Sequence, residues 1–266
     1  MYDDREEITY PLRITRYVKK AGKHLWGLKV SIIPVELWSS GVIGRIISSL
    51  CRNHITIEHL VIPEVKAEEN AILLFFLSGE KSDLESSVLE IEKMREVHHT
   101  RIVSPIEPSL FVDKSFFPIL FHDDRALILP RYIYVSMIKG IHKRFGVGGD
   151  LFLFFCGKEI GKRLYDLSLS ILENEKEILK AFKGLFQIYG FGRVVSIVLG
   201  EHSGIIRIKD SFECELFIGE KSQPMSHFVR GIIAGFMQKF TGVLVLVQET
   251  RCTVLRDDFC EFTLEW

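Results

Sequence analysis

The sequence has few of the features that would place it in a special class of protein. Of its 266 residues only 5 are cysteine and 8 are proline. An odd number of scattered cysteines does not form the disulfide framework of a small secreted protein. No apolar stretch reaches the ~20 residues of a membrane span, and the acidic opening MYDDREE does not resemble a signal peptide. We therefore expect a cytoplasmic protein that makes no membrane contact.

Neither sign of charge predominates, since Lys and Arg total 34 against 35 Asp and Glu. Balanced charge argues against a general polyanion-binding protein, so we expect no direct nucleic acid binding, and the basic run 13–23 indicates a solvated face. The chain also lacks a dinucleotide fingerprint after a strand, a haem-attachment motif and an iron–sulfur spacing. Without a redox cofactor motif, we expect a binding protein and not an enzyme.

Hydrophobic residues make up 47% of the chain, enough for one or two sizeable cores. After a polar arm, 1–23, the apolar periodicity predicts the order βαββαβ. The strands are expected at 25–36, 55–66, 71–79 and 101–106, and the helices at 39–54 and 82–99. Ser39 or Ser40 would cap the first helix, Ser82 and Glu85 would form a capping box on the second, and 67–70 would be a turn.

This element order resembles that of ACT-type regulatory domains, which have a ferredoxin-like fold. The resemblance implies a small effector bound near the loop between the first strand and first helix, here 34–44, commonly at a dimer interface. The serines and glycine of this loop are equally explained as the start of a helix.

Pro105 and Pro108 mark a linker, so we predict one domain at 1–107 and a second at 108–266. The second half predicts packed helices and an antiparallel sheet, and the whole chain is therefore assigned to the α+β class. Helices are expected at 131–146, 151–171, 176–189 and 226–242, and hairpins at 116–130, 193–216 and 250–265. Gly146, Gly148 and Gly149 would end the first of these helices, and Asp150 would cap the next.

Two helices of the second half carry small residues at a spacing of four. In the last helix Gly231, Ala234 and Gly235 form one face, while an aromatic and aliphatic stripe forms another. The earlier helix has Gly157 and Gly161. A face with almost no side chain lets a neighbouring backbone approach closely.

The final hairpin brings together groups that bind metals. Cys252 and Cys260 lie on either side of its polar tip, and Glu249 precedes Cys252 by three residues. Two thiolates and a carboxylate can begin a tetrahedral zinc site. Buried free cysteines, or a disulfide, are the alternatives that the spacing leaves open.

The segments SHFVRGIIAGF and ETRCTVLRDDFCEF resemble the C-terminal signature of the 4-vinyl reductase domain family, and the resemblance extends back to about Phe111. It implies a structural zinc held by a cysteine before the long helix, then a glutamate and two cysteines in the hairpin. Those last three correspond to Glu249, Cys252 and Cys260. The first cysteine corresponds to Ser226, so the site either takes the adjacent His227 as the substitute ligand, which we expect, or no longer binds a metal. Ser226 is explained equally well as the N-cap of the long helix.

The family resemblance extends to sensor domains of aromatic-responsive activators and, more distantly, to Bet3-type vesicle-tethering subunits. It implies an apolar pocket for a small hydrophobic or aromatic ligand, a homodimer and a protein partner, with a ligand-free dimerisation scaffold as the alternative function. A vinyl-reductase-associated enzyme is the third reading. The residues expected to line the pocket are Tyr132, Phe155, Tyr165, Phe186 and Phe228.

Overall fold

The computed structural model describes residues 10–33, 37–38, 40–65 and 70–266. The chain divides into two compact units, Met1–Ala126 and Leu127–Trp266. Residues 34–36 and 39 of the 34–44 loop expected to bind an effector, and residues 67–69 of the predicted turn, lie outside the described residues, and with them the cap at Ser39. No helix in the described part of the chain is both long enough and apolar enough to cross a bilayer.

The first unit contains the predicted βαββαβ order. Its main elements are β2 (Leu25–Ile32), α1 (Val42–Arg52), β3 (Thr56–Val61), β4 (Ala71–Ser78), α2 (Lys81–Ile91) and β5 (Val97–Val103). These strands form an antiparallel sheet in the order β3-β4-β2-β5. Alternate residues of β2 and β4 are buried against the two helices, which explains the long apolar runs of both strands.

The opposite face of this sheet is covered by a small ribbon. Its strands β1 (Tyr17–Lys19) and β6 (Leu110–Val112) pair antiparallel, and two short strands, β7 (Leu120–Phe121) and β8 (Asp124–Arg125), follow. Phe111 is 1% exposed and lies over Gly27, where an added Cβ would be 2.3 Å from its ring. Phe111 thus packs in the core of the first unit, which extends to Ala126, whereas the prolines suggested a boundary at 107/108.

The second unit combines helices with a second antiparallel sheet. Its elements are α3 (Arg131–Phe145), α4 (Val147–Ile171), α5 (Ile178–Ile188), β9 (Arg193–Leu199), β10 (Ser203–Lys209), α6 (His227–Thr241), β11 (Leu246–Arg251) and β12 (Cys260–Glu265). The strand order is β11-β12-β10-β9. One hydrophobic core joins the helices to this sheet.

Helices α4 and α6 cross with their backbones in close contact. A Cβ added at Gly157 or Gly161 would lie 2.1 or 2.0 Å from a carbonyl oxygen of α6. One added at Gly231 or Gly235 would lie 2.1 or 1.9 Å from a carbonyl oxygen of α4. The predicted small-residue faces therefore meet each other at the crossing of α4 and α6.

Several predicted helix boundaries were wrong. Helix α2 begins after Glu80, so Ser82 lies inside its first turn and no capping box forms. The helix also ends at Ile91, where Met94 N–H bonds to the Ile91 carbonyl. Gly148 and Gly149 lie inside α4, and Gly149 packs against the Ile141 carbonyl.

Candidate metal centre

Four side chains of the second unit converge on one buried point. Cys214, Glu249, Cys252 and Cys260 each offer a donor atom, and these atoms all lie within 4.8 Å of one another. Cys214 Sγ is 3.4 Å from Cys252 Sγ, 3.5 Å from Cys260 Sγ and 3.9 Å from Glu249 Oε1. All three thiols are fully buried.

Local backbone breaks bring the thiols together. Strand β10 ends at Lys209, and Asp210 has a φ of 53°, which turns the chain into the short 3-10 helix Cys214–Leu216. Cys252 directly follows β11, and the Cys252 N–H donates a 2.8 Å hydrogen bond to Asp257 Oδ2. This bond closes the loop, and Cys260 then begins β12.

Ser226 holds the carboxylate of the cluster in place. Its N–H donates to Glu249 Oε2 at 3.1 Å and its hydroxyl donates to Glu249 Oε1 at 2.7 Å. The same hydroxyl lies 2.8 Å from Cys214 Sγ. Ser226 immediately precedes α6, so these contacts place the carboxylate at the positive end of that helix. The serine orients one candidate ligand and touches another.

Glu213 supplies the N-terminal cap of α6 in place of Ser226. Its carboxylate accepts hydrogen bonds of 2.9 Å from both Phe228 N–H and Val229 N–H. Burial raises the pKa of Glu213 to about 8 and that of Glu249 to about 7. Two carboxyl groups therefore flank the start of α6, one capping the helix and one facing the thiols.

The donor set fits a tetrahedral metal ion. A zinc ion with Zn–S bonds of ~2.3 Å separates its sulfur ligands by roughly 3.8 Å, and the two sulfur–sulfur distances from Cys214 are 3.4 and 3.5 Å. Within the cluster the free thiols form hydrogen bonds with one another. Hydrogen bonds from Cys214 and Cys252 lower the pKa of Cys260, and the bond to Cys252 raises the pKa of Cys214. Zinc would replace these shared protons.

His227 lies outside the cluster of four. Its Nε2 is 3.5 Å from Asp150 Oδ2, and Asp150 Oδ1 in turn lies 2.7 Å from His142 Nδ1. The structure thus brings together three of the expected ligands, Glu249, Cys252 and Cys260, with Cys214 in the fourth place. Asp150 is an acidic residue of the first turn of α4 and does not form the side-chain cap that the sequence predicted.

The expected pocket residues differ in burial, since three of them pack in the hydrophobic core of the second unit and two are exposed. Phe186 is fully buried against Phe182 and Phe191, with ring centroids 5.6 and 5.5 Å away. Phe228 packs on Phe191 and Phe212, and Tyr165 packs on Phe236. Tyr132 and Phe155 are 72% and 54% exposed. The buried members therefore fill the core.

Sequence reasoning missed Cys214 as a candidate metal ligand. The segment DSFECEL follows a β-rich run and contains no glycine or proline, so it was assigned to the arm of the 193–216 hairpin. One signal was available, because Cys214, like Ser226, precedes the long helix. Cys214 lies twelve residues before Ser226, which is the position where the family resemblance placed a cysteine.

Comparison with known proteins supports the family resemblance for the end of the chain. The model of the 4-vinyl reductase domain family matches residues 205–266. That segment includes Cys214, Glu249, Cys252 and Cys260. The Methanocaldococcus jannaschii protein named "Uncharacterized protein MJ1642" is 27% identical over 139 residues, which are 50% of this chain and 78% of that protein.

Two solved structures resemble the chain at low identity. The phenol-responsive sensory domain of the transcription activator PoxR is 18% identical with a TM-score of 0.48, covering 55% of this chain and 79% of its own. A vinyl-4-reductase family protein from Methanocaldococcus jannaschii is 20% identical with a TM-score of 0.39, covering 53% and 83%. The family-model match alone confirms the predicted resemblance to the 4-vinyl reductase domain, for residues 205–266.

Proposed function

We propose that this chain is a ligand-binding regulatory protein whose second unit is fastened by one structural zinc ion. The observation that carries the zinc is the buried cluster of Cys214, Glu249, Cys252 and Cys260. Soft thiolates with one carboxylate suit zinc in a tetrahedral site. Because protein groups fill all four positions, the ion would be structural and would leave no position for a reacting water.

Zinc would tie three pieces of the second unit together. Cys214 comes from the 3-10 turn after β10, Glu249 from β11, and Cys252 and Cys260 from the loop that ends in β12. Ser226 adds the start of α6 through its two bonds to Glu249. A metal at this point would fix the helix against the hairpin, so binding free energy would appear as folding free energy.

The family match at 205–266, together with the resemblance of that family to sensor domains, supports small-molecule binding as the role of the second unit. The ferredoxin-like order of the first unit supports an ACT-like regulatory module, which would act as a homodimer. In this proposal the chain binds and signals to a partner, and no residue is assigned a catalytic role.

A scaffold is the second candidate, and one observation favours it. Leu151, Phe152 and Phe155 of α4 are 56, 57 and 54% exposed, an apolar face of the kind found at protein–protein contacts. Inside the unit, the fully buried rings of Phe182 and Phe236 pack against each other with centroids 4.2 Å apart, so side chains fill the core at this point. If the scaffold is right, Phe155→Asp should change the oligomeric state measured by light scattering.

The zinc proposal is tested by elemental analysis of protein purified without added metal. We expect about one zinc per chain in the wild type, and its loss with a lower melting temperature in Cys252→Ser and Cys260→Ser. The matched control is Cys156→Ser, since Cys156 lies on α4 outside the cluster. Wild-type protein that holds no metal, with neither variant destabilised, would refute it.

A further inference from the structure

A cavity of about 340 Å³ opens beside the candidate metal centre. Its polar lining comes from Gln223, Ser226, His227, Arg230, Gln248 and Glu249. We infer that this cavity binds a small organic monoanion, with the guanidinium of Arg230 receiving its carboxylate. The inference rests on the proposed ligand-binding function and names the class of ligand.

Arg230 is placed to bind an anion. Its Nε is buried and has no hydrogen-bond partner among the described residues. The guanidinium carbon lies 5.1 Å from the centroid of the Phe154 ring, so stacking on the ring steadies the group. A guanidinium held in this way keeps its planar edge of N–H donors for a carboxylate, which it can bind with two parallel hydrogen bonds.

His227, which also lines the cavity, carries a second buried nitrogen without a hydrogen bond among the described residues. Its Nε2 is buried without a hydrogen-bond partner in the described part of the chain, and it lies 3.5 Å from Asp150 Oδ2. A buried polar group that lacks a partner is costly, and such groups in proteins are usually satisfied by a ligand or by water. Arg230 and His227 both line the cavity, so a polar ligand that entered it could supply partners for both nitrogens.

The remaining wall limits the charge and size of that ligand. Glu249 already accepts two hydrogen bonds from Ser226, so its carboxylate offers little to a ligand and repels a second negative charge. The carboxamides of Gln223 and Gln248 can donate to or accept from neutral polar groups. A volume of about 340 Å³ is near the low end of small-molecule sites. These features favour a small monocarboxylate over a polyphosphate.

The test is isothermal titration of metal-analysed protein with benzoate and with its uncharged counterpart benzamide. We expect benzoate to bind and benzamide to bind at least about tenfold more weakly, because a charge-assisted pair is lost. Arg230→Gln should weaken benzoate binding by about tenfold or more. Gln248→Glu should also weaken it, by adding a negative charge at an exposed position of the wall.

Arg163→Gln is the matched control, because Arg163 is an exposed arginine of α4 outside the cavity, and it should bind benzoate like the wild type. No saturable benzoate binding, equal binding of benzamide, or unchanged binding in both Arg230→Gln and Gln248→Glu would each overturn the inference. The zinc content of the same samples separates the two proposals. Zinc present without benzoate binding would refute only the anion site, whereas benzoate binding by zinc-free protein would refute only the metal centre.

Discussion

A methyl group added at Gly235 probes the helix crossing on which the second unit is built. The new Cβ would lie 1.9 Å from the carbonyl oxygen of Lys158, whereas ordinary contact begins at 3.4 Å. The clashing atom belongs to the helix backbone, so it cannot move away by a change of side-chain rotamer. Helices α4 and α6 would therefore have to separate locally by roughly 1.5 Å, which also opens the contacts around them.

The size of the effect follows from two opposing contributions. Alanine is a better helix former than glycine by about 0.8–1.0 kcal/mol. Overpacking costs about 1–3 kcal/mol, and more where the neighbours are rigid. Because the neighbour here is a carbonyl group of another helix, we expect Gly235→Ala to lower the free energy of unfolding by about 2 kcal/mol, as measured by urea denaturation of the full chain.

Gly140→Ala is the matched control for this substitution. Gly140 lies in α3, and an added Cβ there would meet no atom of the described residues within 4 Å. The helix preference then acts alone, so this variant should gain up to about 1 kcal/mol. If Gly235→Ala were as stable as Gly140→Ala, the close approach of α4 and α6 would be refuted.

Three further predictions concern the site and the unit boundary. Ser226→Ala removes both the hydroxyl bond to the ligand carboxylate and the contact with a thiol, so zinc affinity measured with a competing chelator should fall about 10–100-fold. Burial raises the pKa of Glu213 from 4.5 to about 8. Its contribution to the free energy of unfolding is therefore full below about pH 4.5 and is lost as the pH rises through 8. Urea denaturation across this range should show a smaller decline in the free energy of unfolding for Glu213→Gln than for the wild type. A fragment ending at Ala126 should fold, whereas one ending at 107 loses buried Phe111 and should be less stable by about 3–5 kcal/mol, as thermal unfolding would show. Equal stability of the two fragments would instead favour the boundary at 107.

The sequence predicted those parts of the fold that depend on the local spacing of apolar and small residues. The strands around Leu28 and Phe75 are long apolar runs, and α1 has one continuous apolar face, so the βαββαβ order could be derived from periodicity. The glycines of α4 and α6 were recognised as close-contact faces for the same reason. The Gly146 stop was predicted correctly, whereas local signals misplaced the end of α2 at Ile91 and the start of α4 at Val147.

The candidate site was predictable only in part, because its members come from separate stretches of chain. Glu249, Cys252 and Cys260 fall within one hairpin, and their spacing matches a family pattern. Cys214 reaches the cluster because the chain leaves β10 at Asp210, which adopts a left-handed φ. No glycine stands at this position, so the sequence gives no local signal for the turn. A helical phenylalanine such as Phe186 likewise does not reveal whether its ring fills a core or lines a cavity.

The most direct test of the account is to move the fourth ligand. Ser226 Oγ lies 2.8 Å from Cys214 Sγ and 2.7 Å from Glu249 Oε1, so a thiol at 226 would reach the same cluster from the start of α6. We predict about one zinc per chain in the wild type, none in Cys214→Ala, and recovery in the Cys214→Ala, Ser226→Cys double variant, measured by elemental analysis. Zinc retained by Cys214→Ala, or absent from the wild-type protein, would contradict the assignment of Cys214 to a metal centre.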